Sequence, residues 1–327
     1  MTEYNILILS AGRRVELVQS FQKAAKRLNI NSNVVAGDCS ETAPAIYFAD
    51  RKAILPRINE DNYIDEIINV CKRENIKLVI PTIDTDLLLL SEEKGRVEAE
   101  SGAVVLISNA RVVSICRDKN NTQMFLEGNG FKVPRFYTEE ELNSEKLEFP
   151  LFIKPKSGSS SINTFKVNNL EELTTYRSLI KEPIVQDFME GKEFTVDVFL
   201  DFDGNLITVV PRLRMATRSG EISKGKIIKE KEIIKDVKRL VAVLKPIGHI
   251  TVQLMKTNKG IEYIEINPRF GGGAPMSIQS GADSCENLYR LLIGEKLEYN
   301  ENYRENIMFL RFDKSVCVDE NLEIVQW

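Results

Sequence analysis

The stretch at 261–273, IEYIEINPRFGGG, starts as a strand and then breaks into Pro, Arg and three glycines. Successive strand side chains alternate sides, so Tyr263, Glu265, Asn267 and Arg269 are expected on one face, with Ile264 and Ile266 on the other. A carboxylate, an amide and a guanidinium opposite a buried apolar face suit the joint capture of a cation and an anion. Gln253 lies on the preceding strand-like run, HITVQLMK, joined to this one by Thr-Asn-Lys-Gly. Mg2+ takes oxygen ligands, one or two from protein and the rest from water and phosphate. Gln253, Glu265 and Asn267 offer such oxygens. Arg269 can hold a phosphate oxygen in its fork, and the glycine run can turn N–H groups toward an anion. The same letters also fit a plain hairpin that ends in a glycine loop with a solvated acid.

Two further stretches carry phosphate-like or base-like chemistry. In FIKPKSGSSS, at 152–161, two lysines end an apolar run before a Gly/Ser loop whose N–H and hydroxyl groups can wrap a phosphate. The chain has no GxxxxGK[ST], so this is no Walker A loop, and a Gly/Ser segment also serves as an ordinary connector. In IVQDFMEGKEFTVD, at 184–197, Gln186, Asp187 and Phe188 form a short connector able to receive the edge of an adenine ring. An inter-strand turn is the plainer reading.

Cations concentrate in two places. VVPRLRMATRSGEISKGK, at 209–226, puts Arg212 and Arg214 on one strand face, with Arg218, Lys224 and Lys226 nearby. Arg212 and Arg214 are expected to meet a substrate carboxylate or the γ-phosphate, the alternative being a solvated strand edge. Arg13 and Arg14 follow the first strand at a helix start, where the helix dipole disfavours a cation by about 0.3–1 kcal/mol. A carboxyl or phosphate group of a ligand would reverse that, whereas snorkelling would explain it without a ligand. Gly272 joins Arg13, Arg14 and Arg218 as candidate substrate contacts. Asp84 and Asp86 read as helix N-terminal acids, with an ammonium-binding role as the alternative. His249 is the only histidine, and it reads as structural.

The elements that must position these residues fall into a rhythm. Strand-like and helix-like stretches alternate over the first third: strand 4–9, helix 14–28, strand 33–38, helix 62–74, strand 77–82, a helix from Asp84, strand 103–108. Such alternation implies a parallel sheet with helices on both faces, and ligands beyond the carboxyl ends of its strands. From about 111 the rhythm changes. A helix at 121–128, strands at 149–155 and 163–167 and a helix at 170–181 make a small α+β unit. A larger, mostly antiparallel unit follows, with a DG hairpin turn at 203–204 and a helix at 231–244.

The whole chain bounds the possibilities. At 327 residues it exceeds one average domain. A net charge of −4 argues against a protein that works by gripping nucleic acid. Five scattered cysteines with no CxxC pair argue against a disulfide framework or a zinc site. The opening MTEYNILIL lacks a basic n-region, and no apolar run approaches the roughly 20 residues of a membrane span. A cytoplasmic location is expected.

Taken in order, Lys119 in RDKNNT, Lys154 before SGSSS, QDFMEGKEF and EINPR resemble the ATP-grasp family across almost the whole chain. The N-terminal ILILSAGRRVELVQSF, with AGD after the second strand, resembles the pre-grasp domain of the carbamoyl phosphate synthetase large subunit and of biotin carboxylase. The resemblance implies an α/β and α+β fold: a Rossmann-like parallel-sheet domain (1–112), an ATP-grasp small lobe (113–188) and an ATP-grasp large lobe with the magnesium site (189–327). It implies ATP and one or two Mg2+ ions, with Mn2+ as an alternative. By that resemblance Lys119 and Lys154 contact the phosphates. Ser157, Gly158, Ser159, Ser160 and Ser161 close over them, Gln186, Asp187 and Phe188 hold adenine, and Glu193 faces the ribose. Gln253, Glu265 and Asn267 match the metal ligands and Arg269 the arginine beside the transferred phosphate. Gln253 stands where many relatives have Glu, as in the carbamoyl phosphate synthetase branch.

The implied activity is ligation of a carboxylate to an amine, of amino acid type, through an acyl phosphate, with release of ADP and phosphate. The alternatives are a small-molecule kinase, an enzyme phosphorylating in the manner of carbamoyl phosphate synthetase, and a nucleotide-binding regulator without turnover. Small diffusible substrates are expected, with no nucleic-acid or membrane partner, and a homodimer is the base-rate assembly.

Overall fold

A computed structural model describes residues 2–143, 146–156, 162–218 and 220–325. The N-terminal strands are β1 (Asn5–Leu9), β2 (Val34–Asp38), β3 (Arg51–Ile54), β4 (Ile76–Pro81) and β5 (Val104–Val105). They form an all-parallel sheet in the order β3-β2-β1-β4-β5. Burial on both faces explains why β1 reads as an unbroken apolar run, since helices cover both sides. Those helices are α1 (Val15–Arg27), α2 (Tyr63–Arg73) and α3 (Asp84–Ser101). The strand order reverses between β1 and β4, so their carboxyl ends open the crevice where such sheets bind ligands. Arg13, Arg14 and Asp84 stand at that edge.

The chain then runs through α4 (Ala110–Arg117), α5 (Lys119–Gly128) and α6 (Glu139–Leu142). A three-stranded antiparallel sheet follows, ordered β7-β6-β8, from β6 (Leu151–Pro155), β7 (Phe165–Val167) and β8 (Pro183–Asp187). Helix α7 (Leu170–Leu179) packs on it. The third sheet is antiparallel and ordered β13-β12-β9-β10-β11-β14. Its strands are β9 (Gly191–Leu200), β10 (Leu206–Arg218), β11 (Glu221–Ile227), β12 (Gly248–Thr257), β13 (Gly260–Asn267) and β14 (Met308–Leu310). Helix α8 (Lys231–Leu244) covers its apolar face, while α9 (Ala274–Ser280) and α10 (Ser284–Leu292) turn back onto α1.

Three local features differ from the sequence reading. The helix expected at 121–128 begins at Lys119, because Asp118 caps it by accepting from the Asn120 and Asn121 N–H groups at 2.8 and 2.9 Å. Val112, Leu126 and Phe131 pack in the core of the six-stranded sheet, so the segment leading to the small sheet belongs physically with the large one. Strict alternation also fails on β13. The register passes from Gln253 opposite Glu265 to Leu254 opposite Tyr263, leaving Ile264 as a bulge. Tyr263 therefore joins the buried core, donating to Asp236 at 2.8 Å, and does not share the face of Glu265 and Asn267.

Candidate functional site

The six-stranded sheet has one apolar face and one polar face, and the bulge in β13 keeps them in phase. Val252 and Leu254 point into the core, so their neighbours Thr251 and Gln253 point away from it. Register then sets Gln253 beside Glu265 on one side and Thr195 on the other, and Thr251 between Asn267 and Asp197. Residues distant in sequence thus share one surface. The Asn267 amide donates to Glu265 at 3.0 Å, and the Gln253 amide donates to Glu193 on the adjacent strand β9. Glu193 also lies 2.9 Å from the Arg214 guanidinium, which donates to Thr195 at 3.2 Å and to the Gly220 carbonyl at 2.9 Å.

Two lysines address the same surface from other elements. Lys119, at the start of α5, donates to the Pro155 carbonyl at 2.8 Å, so it meets the end of β6 that carries Lys154. Lys154 is buried, with its ammonium 5.4 Å from the centre of the Phe136 ring. Burial, and then the neighbouring Lys119 cation, push the Lys154 pKa down to about 8 against the pull of Glu265. Burial lowers Lys119 as well, again opposed by Glu265. An anion between these two ammonium groups would relieve both. The expected phosphate loop, Ser157 to Ser161, lies outside the described residues.

At the connector, Gln186 is 2% exposed and its side-chain Oε1 has no hydrogen-bond donor among the described residues. A buried carbonyl oxygen left this way costs about 1–3 kcal/mol, which an N–H donor from a ligand would remove. The Asp187 N–H donates to the Arg135 carbonyl at 3.0 Å, its carboxylate accepts from the Tyr137 hydroxyl at 2.9 Å, and Lys166 sits 4.4 Å over the Phe188 ring. Glu193 is committed to Gln253 and Arg214.

Arg269 ends the polar strand and reaches across to the N-terminal sheet. Its Nε and Nη2 donate to the two Asp84 oxygens at 3.0 and 2.6 Å, and Nη2 also donates to Asn267 at 3.3 Å. Asp84 is a first-turn acid of α3, as its sequence position suggests, but its partner lies 185 residues away and no local pattern could have named it.

Arg212 differs from Arg214 despite their shared strand. It is 1% exposed and pairs with the equally buried Asp197 at 3.2 Å. Burial alone would raise the Asp197 carboxyl, yet Arg212 and His249 pull it well below the usual carboxylate range. Ser277 also donates to Asp197, and His249 stacks on Phe270 at 4.2 Å, which fits its expected structural role. Arg212 is thus an interior charge beneath the site and does not face a solvent-open pocket. The glycines explain how it fits there. A Cβ at Gly273 would lie 2.5 Å from Arg212 Nη1, one at Gly271 would lie 2.8 Å from Thr251 Oγ1, and one at Gly272 would lie 2.7 Å from Arg14 Nη1. Gly271, Gly272 and Gly273 do not adopt positive φ, so the run serves close packing rather than the alternating backbone of an anion nest.

Arg14 caps the approach to α1, 3.5 Å from Glu221, and Arg311 reaches the same acid at 3.1 Å. Arg13 and Arg218 are mostly exposed and share Asp313, at 3.6 and 2.6 Å. Among the described residues, no three His, Cys, Asp or Glu side chains cluster to hold a metal. No helix of the described residues is long and apolar enough to cross a membrane.

Comparison with known proteins gives this arrangement a family context. Residues 6–106 match the model described as PylC-like, N-terminal domain, and residues 116–273 match the ATP-grasp domain. A carbamoyl-phosphate synthase of Methanobrevibacter smithii is 25% identical over 179 residues, which span 53% of this chain and 47% of that protein. A D-alanine--D-alanine ligase B of Clostridium perfringens is 26% identical over 304 residues, 81% of this chain and 97% of the relative. The chain therefore spans about half of the first relative and nearly all of the second. Among solved structures, the biotin carboxylase domain of Hydrogenobacter thermophilus 2-oxoglutarate carboxylase, a dimer in complex with MgADP, ADP and bicarbonate, superposes with a TM-score of 0.71 at 19% identity. That likeness covers 93% of this chain and 73% of the other, and it concerns the fold.

Proposed function

From a chain built of a PylC-like N-terminal domain and an ATP-grasp domain, we propose an ATP-dependent ligase that joins a small carboxylate to an amine. The observation that carries this is the register of β12 and β13, which puts Gln253 opposite Glu265 with Asn267 two residues on and bonded to that carboxylate, near two desolvated lysines. Glu265, with the two amide oxygens, would hold Mg2+. When bound, that ion neutralises charge on the phosphates.

The protein's own groups then divide the work. Lys119 and Lys154 hold the phosphate oxygens, and the unpartnered Gln186 Oε1 accepts the exocyclic amino group of adenine. Arg269 and Arg214, each braced by one carboxylate, hold the acceptor carboxylate in line with the γ-phosphorus. A carboxylate oxygen attacks phosphorus, the bond to ADP breaks, and an acyl phosphate forms. The amine attacks the acyl carbon, phosphate leaves, and the amine proton passes to solvent. Positioning and neutralisation supply the rate. Buried Arg212 acts from below, by holding Asp197 and the glycine run.

The test is a screen of carboxylate and amine pairs for release of ADP and phosphate. Release requiring both partners supports ligation, and a stable phosphorylated product converts the reading to a kinase. Glu265→Ala is expected to abolish turnover, and Arg214→Ala to lower it by about 10–100-fold, the worth of a charged hydrogen bond. Unchanged carboxylate-dependent turnover in Arg214→Ala would remove that residue from the mechanism.

A further inference from the structure

Around Gly272, the guanidinium groups of Arg14 and Arg311 share a single carboxylate, Glu221, at 3.5 and 3.1 Å. The three residues come from the start of α1, the start of β11 and the segment after β14. They are neither sealed nor free: their side chains are 20%, 30% and 48% exposed for Arg14, Arg311 and Glu221. Deeper in the site Arg269 pairs with Asp84, Arg214 with Glu193 and Arg212 with Asp197, one acid each, while at the exposed rim Arg13 and Arg218 share Asp313. The Arg14 group carries a surplus positive charge in a desolvated place. Burial lowers the Arg14 pKa, Glu221 opposes, and the nearby Arg269 and Arg311 cations lower it further. Gly272 leaves the room, since a Cβ there would lie 2.7 Å from Arg14 Nη1 and 2.8 Å from Glu221 Oε1. Asp84 and Arg269 join this corner to the metal strand, so a ligand could span both.

We propose that Arg14 and Arg311 form a second anion subsite, which selects an acceptor bearing a carboxylate or phosphate in addition to the carboxylate that is activated. This rests on the ligase reading and names its substrate class. Arg269 and Arg214 serve the reacting carboxylate, while the distal anion enters between Arg14 and Arg311 and completes the charge that Glu221 balances only by half. Glu221 then acts as a counterweight that keeps the two arginines oriented when the subsite is empty.

The experiment compares acceptors with the full-length protein and ATP. Neutral monocarboxylate amino acids, aspartate and glutamate, and phosphoserine are each offered with the same set of amines, and ADP release gives kcat and KM. Acidic acceptors are expected to win, with aspartate or glutamate leading if the distal group is a carboxylate and phosphoserine leading if it is a phosphate. In Arg14→Gln and Arg311→Gln the ratio of kcat/KM for acidic over neutral acceptors should fall by about 10–100-fold, mainly through KM. Glu221→Gln should move KM for the acidic acceptor the opposite way, downward. A structural strap would instead make all three variants damage every acceptor alike. That result, or a preference for neutral acceptors in the unaltered protein, overturns the proposal and leaves the ligase reading standing. No ADP from any pair, with no stabilisation by Mg-ATP, would instead count against the ligase reading itself.

Discussion

Lys154 shows how a single residue reports on its site. Its ammonium is buried beside a second cation, and its pKa falls to about 8. The free protein therefore holds this lysine partly neutral in mildly alkaline solution, and a polyphosphate would restore the charge. Binding of Mg-ATP at pH 8 is expected to take up a fraction of a proton, seen as a calorimetric heat that changes between buffers of different ionisation enthalpy. Lys154→Met should remove that dependence, and buffer-independent heats in the unaltered protein would contradict the assignment. Stability follows the same group. Its folded pKa lies below the unfolded value, so the unfolded chain binds more protons between about pH 8 and 10.5, and the lysine's contribution to stability rises with pH through that window. Below pH 8 its destabilising effect is fully present.

At the scale of elements, the glycine run and the bulge decide how close the strands and their ligand groups lie. Gly273 stands against the Arg212 guanidinium, which is held by Asp197 and cannot swing away. Gly273→Ala is expected to destabilise the fold by about 1–3 kcal/mol through overpacking, read as a lower denaturant midpoint at unchanged m-value. A neutral result would mean that Arg212 has space the structure does not suggest. The glycines were legible as a functional signal, but as the wrong one. Three glycines after Arg269 suggested exposed N–H groups, whereas they make room for Thr251, Arg14 and Arg212. The bulge at Ile264 had no sequence signature, because Tyr263 fits either face until Phe131 supplies a ring 5.4 Å away.

At the scale of the whole molecule, the N-terminal sheet and the six-stranded sheet share a core. Phe270 packs edge-on to Phe21 of α1 at 6.1 Å and stacks on His249 of β12, and Phe199 and Ile207 join the same cluster. Phe270→Ala should cost about 3–5 kcal/mol and lower the melting of both sheets together, as read by amide exchange on β1 and β12. Separate loss of one sheet would show that the two do not unfold as a unit. The small sheet has its own core, centred on Leu151, Ile153 and Leu173, and is expected to exchange independently. The strand-helix alternation of the first third and the antiparallel remainder followed from periodicity, and the grouping of Lys119, Lys154, Gln186 and Glu265 from the family resemblance that their ordered motifs carry. Local chemistry sets those properties: side-chain period, caps and turns act over a few residues. Charge pairing is different, because it acts through space between segments that the fold brings together. Only the tertiary structure could decide that Arg269 meets Asp84, that Arg212 is sunk onto Asp197, and that two arginines from opposite ends of the chain divide one glutamate.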